Sequence, residues 1–379
     1  MRVVVRAARS RELAFGGASV LGLLLATAVI GSHEQALWAT GEAWPLDEVV
    51  KRQRQTGALF QREYASANTI PAYKFRALQN AKPRVAVLGS MRMAGLRPAL
   101  LGEPGRFYNA AGLIQGLGDL QAVLDRIPAD STPRVVVIGL DPWWFGYRWP
   151  LEATDWNRDP DWGWLAEGNR IASSLARPWL LLGAPADARH PSIGLAALRS
   201  GEGFRSDGSQ VRADSAGRRR GEPFVDTLEP TAVARVTTAT VEFEPSPGVS
   251  RERIQRLGLV LRQFRDRGVL VIGVAPPLAT AAVDALEASE QLKVFWHEFR
   301  DQSKTTFRYA GFPFLDASDP RALGLDDRAM NDGFQAGDGF WVAVLDRLSK
   351  DRRVAAGLPG MPATVAALAS KVPSGQQVN

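Results

Sequence analysis

Arg84-Val85-Ala86-Val87-Leu88-Gly89-Ser90-Met91-Arg92 is the stretch on which the reading of this chain turns. Four aliphatic residues in a row leave no polar face, as in a parallel strand covered on both sides. The run breaks at Gly89-Ser90 and gives way to a basic turn. Such a strand delivers a hydroxyl to the carboxyl edge of a sheet, where open α/β folds place their sites. Residues 134–139 and 269–274 are apolar runs of the same kind, residues 312–316 a shorter one, and Phe107-Tyr108-Asn109-Ala110-Ala111-Gly112 reads as a short strand opening into a loop. Between them the period changes. Leu113, Leu117, Leu120, Val123 and Leu124 recur at helical spacing before Pro128, and Ile254, Leu257, Leu261 and Phe264 do so between an N-capping Ser250 and Gly268. Residues 281–306 and 340–348 read as further helices. Residues 237–244, β-branched and partly alternating, read as an extra strand. Strand–helix–strand alternation of this kind implies an α/β fold with a mostly parallel sheet flanked by helices.

The composition is that of a globular protein: 379 residues, 45% hydrophobic and 23% charged, with a formal net charge of +6. The surplus is spread along the chain, and Arg218-Arg219-Arg220, its one dense basic run, reads as a solvated loop. Nucleic acid is therefore not an expected partner. The chain has no cysteine, which excludes disulfides, thiolate catalysis and cysteine-ligated metals. The three histidines, His33, His190 and His297, are scattered, and no Gly-rich phosphate loop occurs, so neither a metal nor a cofactor is expected.

Arg2, Arg6, Arg9 and Arg11 precede a nearly uncharged stretch, residues 13–32, close to the roughly 20 residues that span a bilayer. Glu34, Glu42, Asp47 and Glu48 follow, so the positive-inside rule places the N-terminus in the cytoplasm and the rest on the extracytoplasmic side. Trp38 and Trp44 are candidates for the outer interface. Ala26-Thr27-Ala28 resembles a cleavage site, which makes a signal peptide the competing reading. The anchor is favoured because cleavage there would fall inside the apolar stretch. The expected organisation is a cytoplasmic N-terminus and transmembrane anchor over 1–32, a connector over 33–81 interrupted by Pro71, a domain over 82–350 and a flexible tail over 351–379. Within the domain lie a polar insert, 201–221, and an excursion, 141–164, holding Trp143, Trp144, Trp149, Trp156, Trp162 and Trp164. These indoles read either as a platform for sugar rings or a partner surface, or as packing for an irregular segment.

Leu88-Gly89-Ser90, Asn109 to Gly112, Gly139-Leu140-Asp141-Pro142-Trp143-Trp144-Phe145 and Asp332-Gly333-Phe334 resemble, in order, the blocks of the SGNH (GDSL-type) hydrolase superfamily. They are most similar to its membrane-anchored bacterial envelope members of the D-alanyl-transfer and polysaccharide O-acetylation kind. The resemblance spans about residues 72–345. It implies a three-layer α/β/α sandwich, flavodoxin-like, whose serine attacks an ester carbonyl. A glycine and an asparagine donate to the oxyanion, and an Asp-x-x-His pair supplies the base and its orienter. Carried over, Ser90 matches the nucleophile, Gly112 (or Gly116) the second-block donor and Asp332 the acid. Asp141 stands where an asparagine donor belongs, and an ionised carboxylate accepts without donating. Gln335 stands where the histidine belongs, and an amide has no useful basicity. His297, beside aromatics, reads as structural, and His190 and His33 lie away from the expected base position. Asn109, Arg92, Trp143, Trp144 and Trp149 are candidate binding residues.

Three functions follow. The first is a catalytically degenerate, membrane-tethered protein binding an envelope glycan or a partner protein. The second is an active O-acyl esterase or acyltransferase on envelope polysaccharide using Ser90. The third is a structural subunit of a membrane complex.

Overall fold

A computed structural model describes residues 2–102, 106–156, 164–180, 191–212 and 229–370, with side chains from residue 18 onward except at 164–165, 180, 229–231 and 241. The chain divides into two compact units, residues 1–66 with 160–203 and residues 67–159 with 204–379.

The larger unit is built on a five-stranded sheet: β1 (Val85–Leu88), β2 (Phe107–Asn109), β3 (Val135–Gly139), β4 (Leu270–Ala275) and β5 (Phe314–Asp316). Their order is β2-β1-β3-β4-β5, and all four pairings are parallel. Register sets Val85 beside both Phe107 and Val135, and Val135 beside Leu270. This is a doubly wound order, in which the chain reverses direction across the sheet between β1 and β3.

Alternate residues of the strands face opposite sides. Val85, Val87, Val135, Val137, Ile272 and Val274 share one buried cluster with Leu100, Leu101, Trp341, Val344 and Leu345, which brings the helix Asp338–Ser349 onto that face. Elsewhere the helix Arg251–Asp266 packs against the helices Leu117–Arg126 and Glu290–Ala310. A Cβ on Gly273 of β4 would lie 2.4 Å from the Phe307 ring, so the bare backbone is what admits that helix. The strands read from hydrophobic period occur within a residue or two of their expected bounds, the one helix expected over 281–306 is two, Thr280–Ala288 and Glu290–Ala310, parted by extended Ser289, and Gly268 takes φ +72 just past the helix that ends at Asp266.

Three expectations are corrected. Residues 351–370 are not a loose tail: Arg352–Gly357 and Met361–Ala369 are helices, and Val354, Met361 and Val365 are buried in the core. Residues 371–379 lie outside the described residues. Residues 237–244 hold no strand. Thr237 ends the helix Glu229–Thr237, whose Ala232 and Val236, four residues apart, are buried, and Val241–Phe243 form one 3-10 turn. Pro71 does not interrupt a helix. It is the third residue of Thr69–Ala81, where the missing N–H would have had no intrahelical acceptor.

The smaller unit contains the N-terminal helix Arg2–Ala39, of which Ala18–Ala39 is long and apolar enough to cross a membrane, with a mean hydropathy of 1.4. Its other elements are the helices Leu46–Thr56, Trp164–Ala176 and Leu195–Ser200 and a parallel pair of two-residue strands, Leu59–Phe60 and Ser192–Ile193. Buried Glu42 ties them together. Its carboxylate accepts from Tyr64 N at 2.8 Å and Leu195 N at 2.7 Å, while burial pushes its pKa up. Residues 33–66 thus belong to this unit and 67–81 to the larger one.

Candidate functional site

The reversal in strand order puts the carboxyl ends of β1 and β3 side by side, and the chain supplies Ser90 from one and Asp141 from the other. Gly89 makes the exit from β1 possible: it has φ +147, and a Cβ there would stand 3.2 Å from Gly139 O and 2.8 Å from Met93. Ser90 caps a single 3-10 turn, Met91–Met93, its Oγ accepting from Arg92 N at 3.3 Å. That cap aims the Arg92 side chain back across the sheet edge.

Arg92 is 5% exposed and Asp141 1%, and they form an ion pair at 2.7 Å. The rest of the guanidinium is taken up by backbone beyond β4 and by the last sequence block. Nη2 donates to Pro276 O and Pro277 O, both at 2.6 Å, and Nε to Phe334 O at 3.4 Å. The Trp143 ring covers it, with its centroid 5.3 Å away. Burial pushes the Asp141 carboxyl up, and Arg92 and the Ser90 hydroxyl pull it back down. Burial likewise lowers Arg92, and Asp141 opposes it. Each charge is sustained by the other. One oxygen is left over: Asp141 Oδ2 is buried and accepts no hydrogen bond.

Asp332 Oδ1 accepts from Phe334 N and Gln335 N, both at 2.8 Å, folding the last block into a tight turn. Its Oδ2 takes Arg212 Nη1 at 2.5 Å, and the same nitrogen donates to Gln335 Oε1 at 2.7 Å. The positions expected to hold base and orienter therefore both face a cation. Arg92 links this turn to Ser90 and Asp141 through Phe334 O. Ser90, Asp141 and the turn at Asp332 are accordingly brought to one edge.

The other expected residues have different work. Gly112 N donates to Gly89 O at 2.8 Å, which occupies the N–H assigned to an oxyanion. Gly116 begins the helix Leu117–Arg126 in extended backbone. Asn109 is fully buried, with Nδ2 donating to Met93 O and Leu96 O and Oδ1 accepting from Ala111 N, so it fixes the loop after β1. Trp144 and Trp156 are buried in the core. Trp149 is half-buried and donates to Gln115 O at 2.7 Å, and Arg253 anchors the excursion by donating to Trp144 O and Trp149 O. Trp162 and His190 lie outside the described residues. His297 is exposed and pairs with Glu287 at 2.9 Å, and His33 Nδ1 lies 3.1 Å from Ser174 Oγ in the smaller unit. Among the described residues no group of three His, Cys, Asp or Glu is placed to hold a metal.

Two clefts flank the edge. One, about 360 Å³, is lined by Arg97, Arg205, Gln210, Arg212, Asn331 and Gln335, with Asp338 bound to Arg97 at 2.5 Å. The other, about 330 Å³, is lined by Trp143, Tyr147, Trp149, Phe295, Glu242 and Glu244 among others. Aromatic contacts run from it across the edge: Trp149 to Trp143 at 6.2 Å, Trp143 to Phe243 at 6.0 Å, Phe243 to Phe334 at 6.4 Å.

Arg92, a candidate binding residue by sequence, has its guanidinium turned inward as the counter-ion of Asp141. Besides the arginines of the first cleft, the residue that the sequence does not point to is Lys74. On the helix Thr69–Ala81, it is fully buried. It donates to Asn109 O at 3.0 Å and to Gly208 O, and its Nζ lies 4.1 Å from the Phe204 ring centroid. Burial lowers its pKa to about 7 against the pull of Asp207. Comparison of the chain with known protein-family models and with curated proteins finds no match to either.

Proposed function

We propose that this protein is a membrane-tethered, SGNH-hydrolase-like protein of the cell envelope whose hydrolytic centre has become an internal ion pair and whose edge binds an anionic envelope glycan. In this reading the sheet and its helices form the three-layer sandwich of that superfamily. The N-terminal helix holds the protein in the membrane, with the rest on the extracytoplasmic side.

The observation that carries the reading is the state of the guanidinium at the switch point. Arg92 is bonded to four oxygens, one of them on Asp141, and Arg212 holds Asp332 and Gln335. A serine needs a group that removes its proton and donors that receive the oxyanion. Here the nearest carboxylate is neutralised by arginine, and the expected glycine donor is occupied. The flanking clefts suit a polymer: arginines and amides on one side recognise carboxylate or phosphate groups, and indole faces on the other stack on sugar rings.

A second reading rests on Asp141 Oδ2. Buried without a hydrogen bond, on a carboxyl that the Ser90 hydroxyl pulls down, it is the base that an active O-acyl esterase would draw on among the described residues. A serine-directed fluorophosphonate probe on the full-length protein in detergent separates the two. The expected result is no labelling, together with binding of polygalacturonate that weakens about tenfold in Arg212→Gln, as for loss of one charge-assisted contact. Labelling that disappears in Ser90→Ala would overturn the degenerate reading in favour of the esterase. Equal affinity of the variant for polygalacturonate would remove the arginine cleft from it.

A further inference from the structure

The smaller unit carries a feature that the glycan-binding reading leaves unused. The helix Trp164–Ala176 packs against the N-terminal helix and runs antiparallel to it. The direction follows from two contacts. Ile171 packs against the buried cluster that holds Leu37, and three residues later Ser174 Oγ meets His33 Nδ1, four residues earlier in the N-terminal helix. One helical turn advances about 5.4 Å. Leu175, one residue past Ser174 and about 1.5 Å further along the axis, therefore lies near the level of Ser32, where the apolar stretch ends.

The apolar span lies just beyond that level. Val29 and Ile30 are 48% and 42% exposed, as are the aliphatic side chains below them, from Val20 to Leu25. Beside the end of that span Leu175 is 38% exposed, and Trp179, in the 3-10 turn Pro178–Leu180 that follows the helix, is 62% exposed. Large apolar side chains left uncovered directly beside an uncovered span share its surroundings. An indole with a polar N–H favours the boundary between hydrocarbon and headgroups. Arg177 lies between the two in sequence, its guanidinium 5.4 Å from the Tyr64 ring and 3.8 Å from Glu63.

We propose that Leu175 to Trp179 form a second membrane contact, in which Leu175 and Trp179 enter the interface of the leaflet from which the N-terminal helix emerges. The occupant is the lipid surface itself. A lone helix leaves an attached fold free to swivel and tilt, and a second point of entry about one turn away fixes the tilt of the smaller unit. The inference rests on the membrane-tethered reading of the N-terminal helix.

The absence of cysteine makes the test direct. Leu24→Cys and Trp179→Cys are each labelled with an environment-sensitive fluorophore in the full-length protein, reconstituted in phosphatidylcholine nanodiscs. Quenching is compared for lipids doxylated near the headgroup, lipids doxylated deep in the chain, and aqueous iodide. The expected result is that deep-doxyl lipid quenches position 24, and that position 179 loses fluorescence to shallow-doxyl lipid and is protected from iodide. If position 24 is quenched by lipid while position 179 responds to iodide alone, the second contact is refuted and the anchor stands. If neither responds to lipid, the tethered reading fails and takes this inference with it.

Discussion

Replacing Arg92 with methionine tests whether the sheet edge is held by an ion pair. Methionine keeps an unbranched apolar stem that ends one atom short of the guanidinium carbon over the Trp143 ring, and it removes all four hydrogen bonds of the guanidinium. Asp141, 1% exposed, is left as a buried carboxylate with no counter-ion. Removing one member of a buried pair costs about 3–5 kcal/mol, because the survivor keeps its desolvation penalty. Replacing both, Arg92→Met with Asp141→Leu, removes the penalty along with the pair and should recover most of the loss. The cycle built from wild type, both single variants and the double variant should show a coupling of about 2 kcal/mol or more.

The deficit also has a pH signature. Asp141 already has a raised pKa in the folded protein, and loss of Arg92 removes the main influence that restrains it. A carboxyl whose folded pKa lies above its unfolded value contributes stability that is fully present below the unfolded pKa and is lost as pH rises through the folded one. The Arg92→Met variant should therefore lie closest to wild type at acid pH, where Asp141 is neutral in both states, and fall away toward neutrality. The assay is urea unfolding of the full-length protein in detergent, followed by tryptophan fluorescence from pH 4 to 8. A deficit below about 1 kcal/mol at neutral pH, the level of an exposed pair, or one that does not change with pH would refute the reasoning.

Lys74 makes the opposite prediction. Its folded pKa, about 7, lies below the ordinary 10.5, so between those values the unfolded chain takes up a proton that the folded protein does not. Stability should rise with pH across that window, by at most about 5 kcal/mol. Tyr108, which faces it, is raised well above 10 by burial and stays neutral there. Lys74→Met should flatten the rise when the same unfolding measurement is carried up through the window between pH 7 and 10.5, and a slope equal to wild type would dismiss Lys74 as its source. Gln335→His places an imidazole against Arg212 Nη1, which disfavours its protonated form, and leaves Arg92 on Asp141. Turnover of p-nitrophenyl acetate should stay at background, and a gain dependent on Ser90 would show that the missing base alone silenced the site.

What was legible in the sequence followed from burial. Val85 to Leu88, Val135 to Gly139 and Leu270 to Ala275 are covered on both faces, so they carry no polar residue and announce themselves as parallel strands. Ser90, Asp141 and the Asp332 turn were found because they follow such runs or match short blocks. Their couplings were not, because these join residues far apart in sequence. Arg92 and Asp141 are 49 residues apart and meet only because β1 and β3 are neighbours, and Arg212 and Asp332 are 120 apart. Lys74 was passed over because a lysine on a helix reads as a surface residue, and nothing local reveals the turn at Gly208 that closes over it. The C-terminal helices left a readable signal: Val354, Leu358, Met361 and Val365 are spaced four, three and four apart. Their Ala-, Pro- and Gly-rich surroundings obscured it.

On the proposed reading, an aspartate at 141 where the superfamily places asparagine acquires a meaning only beside Arg92. A carboxylate at an oxyanion site would by itself repel the developing charge, and an arginine at the same edge would by itself attract it. Paired at 2.7 Å and dry, the two cancel. An oxyanion hole is effective because its donors are fixed before the charge appears. On the proposed reading this edge is fixed equally firmly, but around a charge of its own, so a bound glycan meets the arginines and indoles at the flanks and finds nothing at the centre to turn it over. The two positions should therefore respond as one unit. Asp141→Asn alone frees Arg92 without supplying a base, and Arg92→Met alone frees the carboxylate beside Ser90 without supplying an oxyanion donor. Neither single change should create esterase activity.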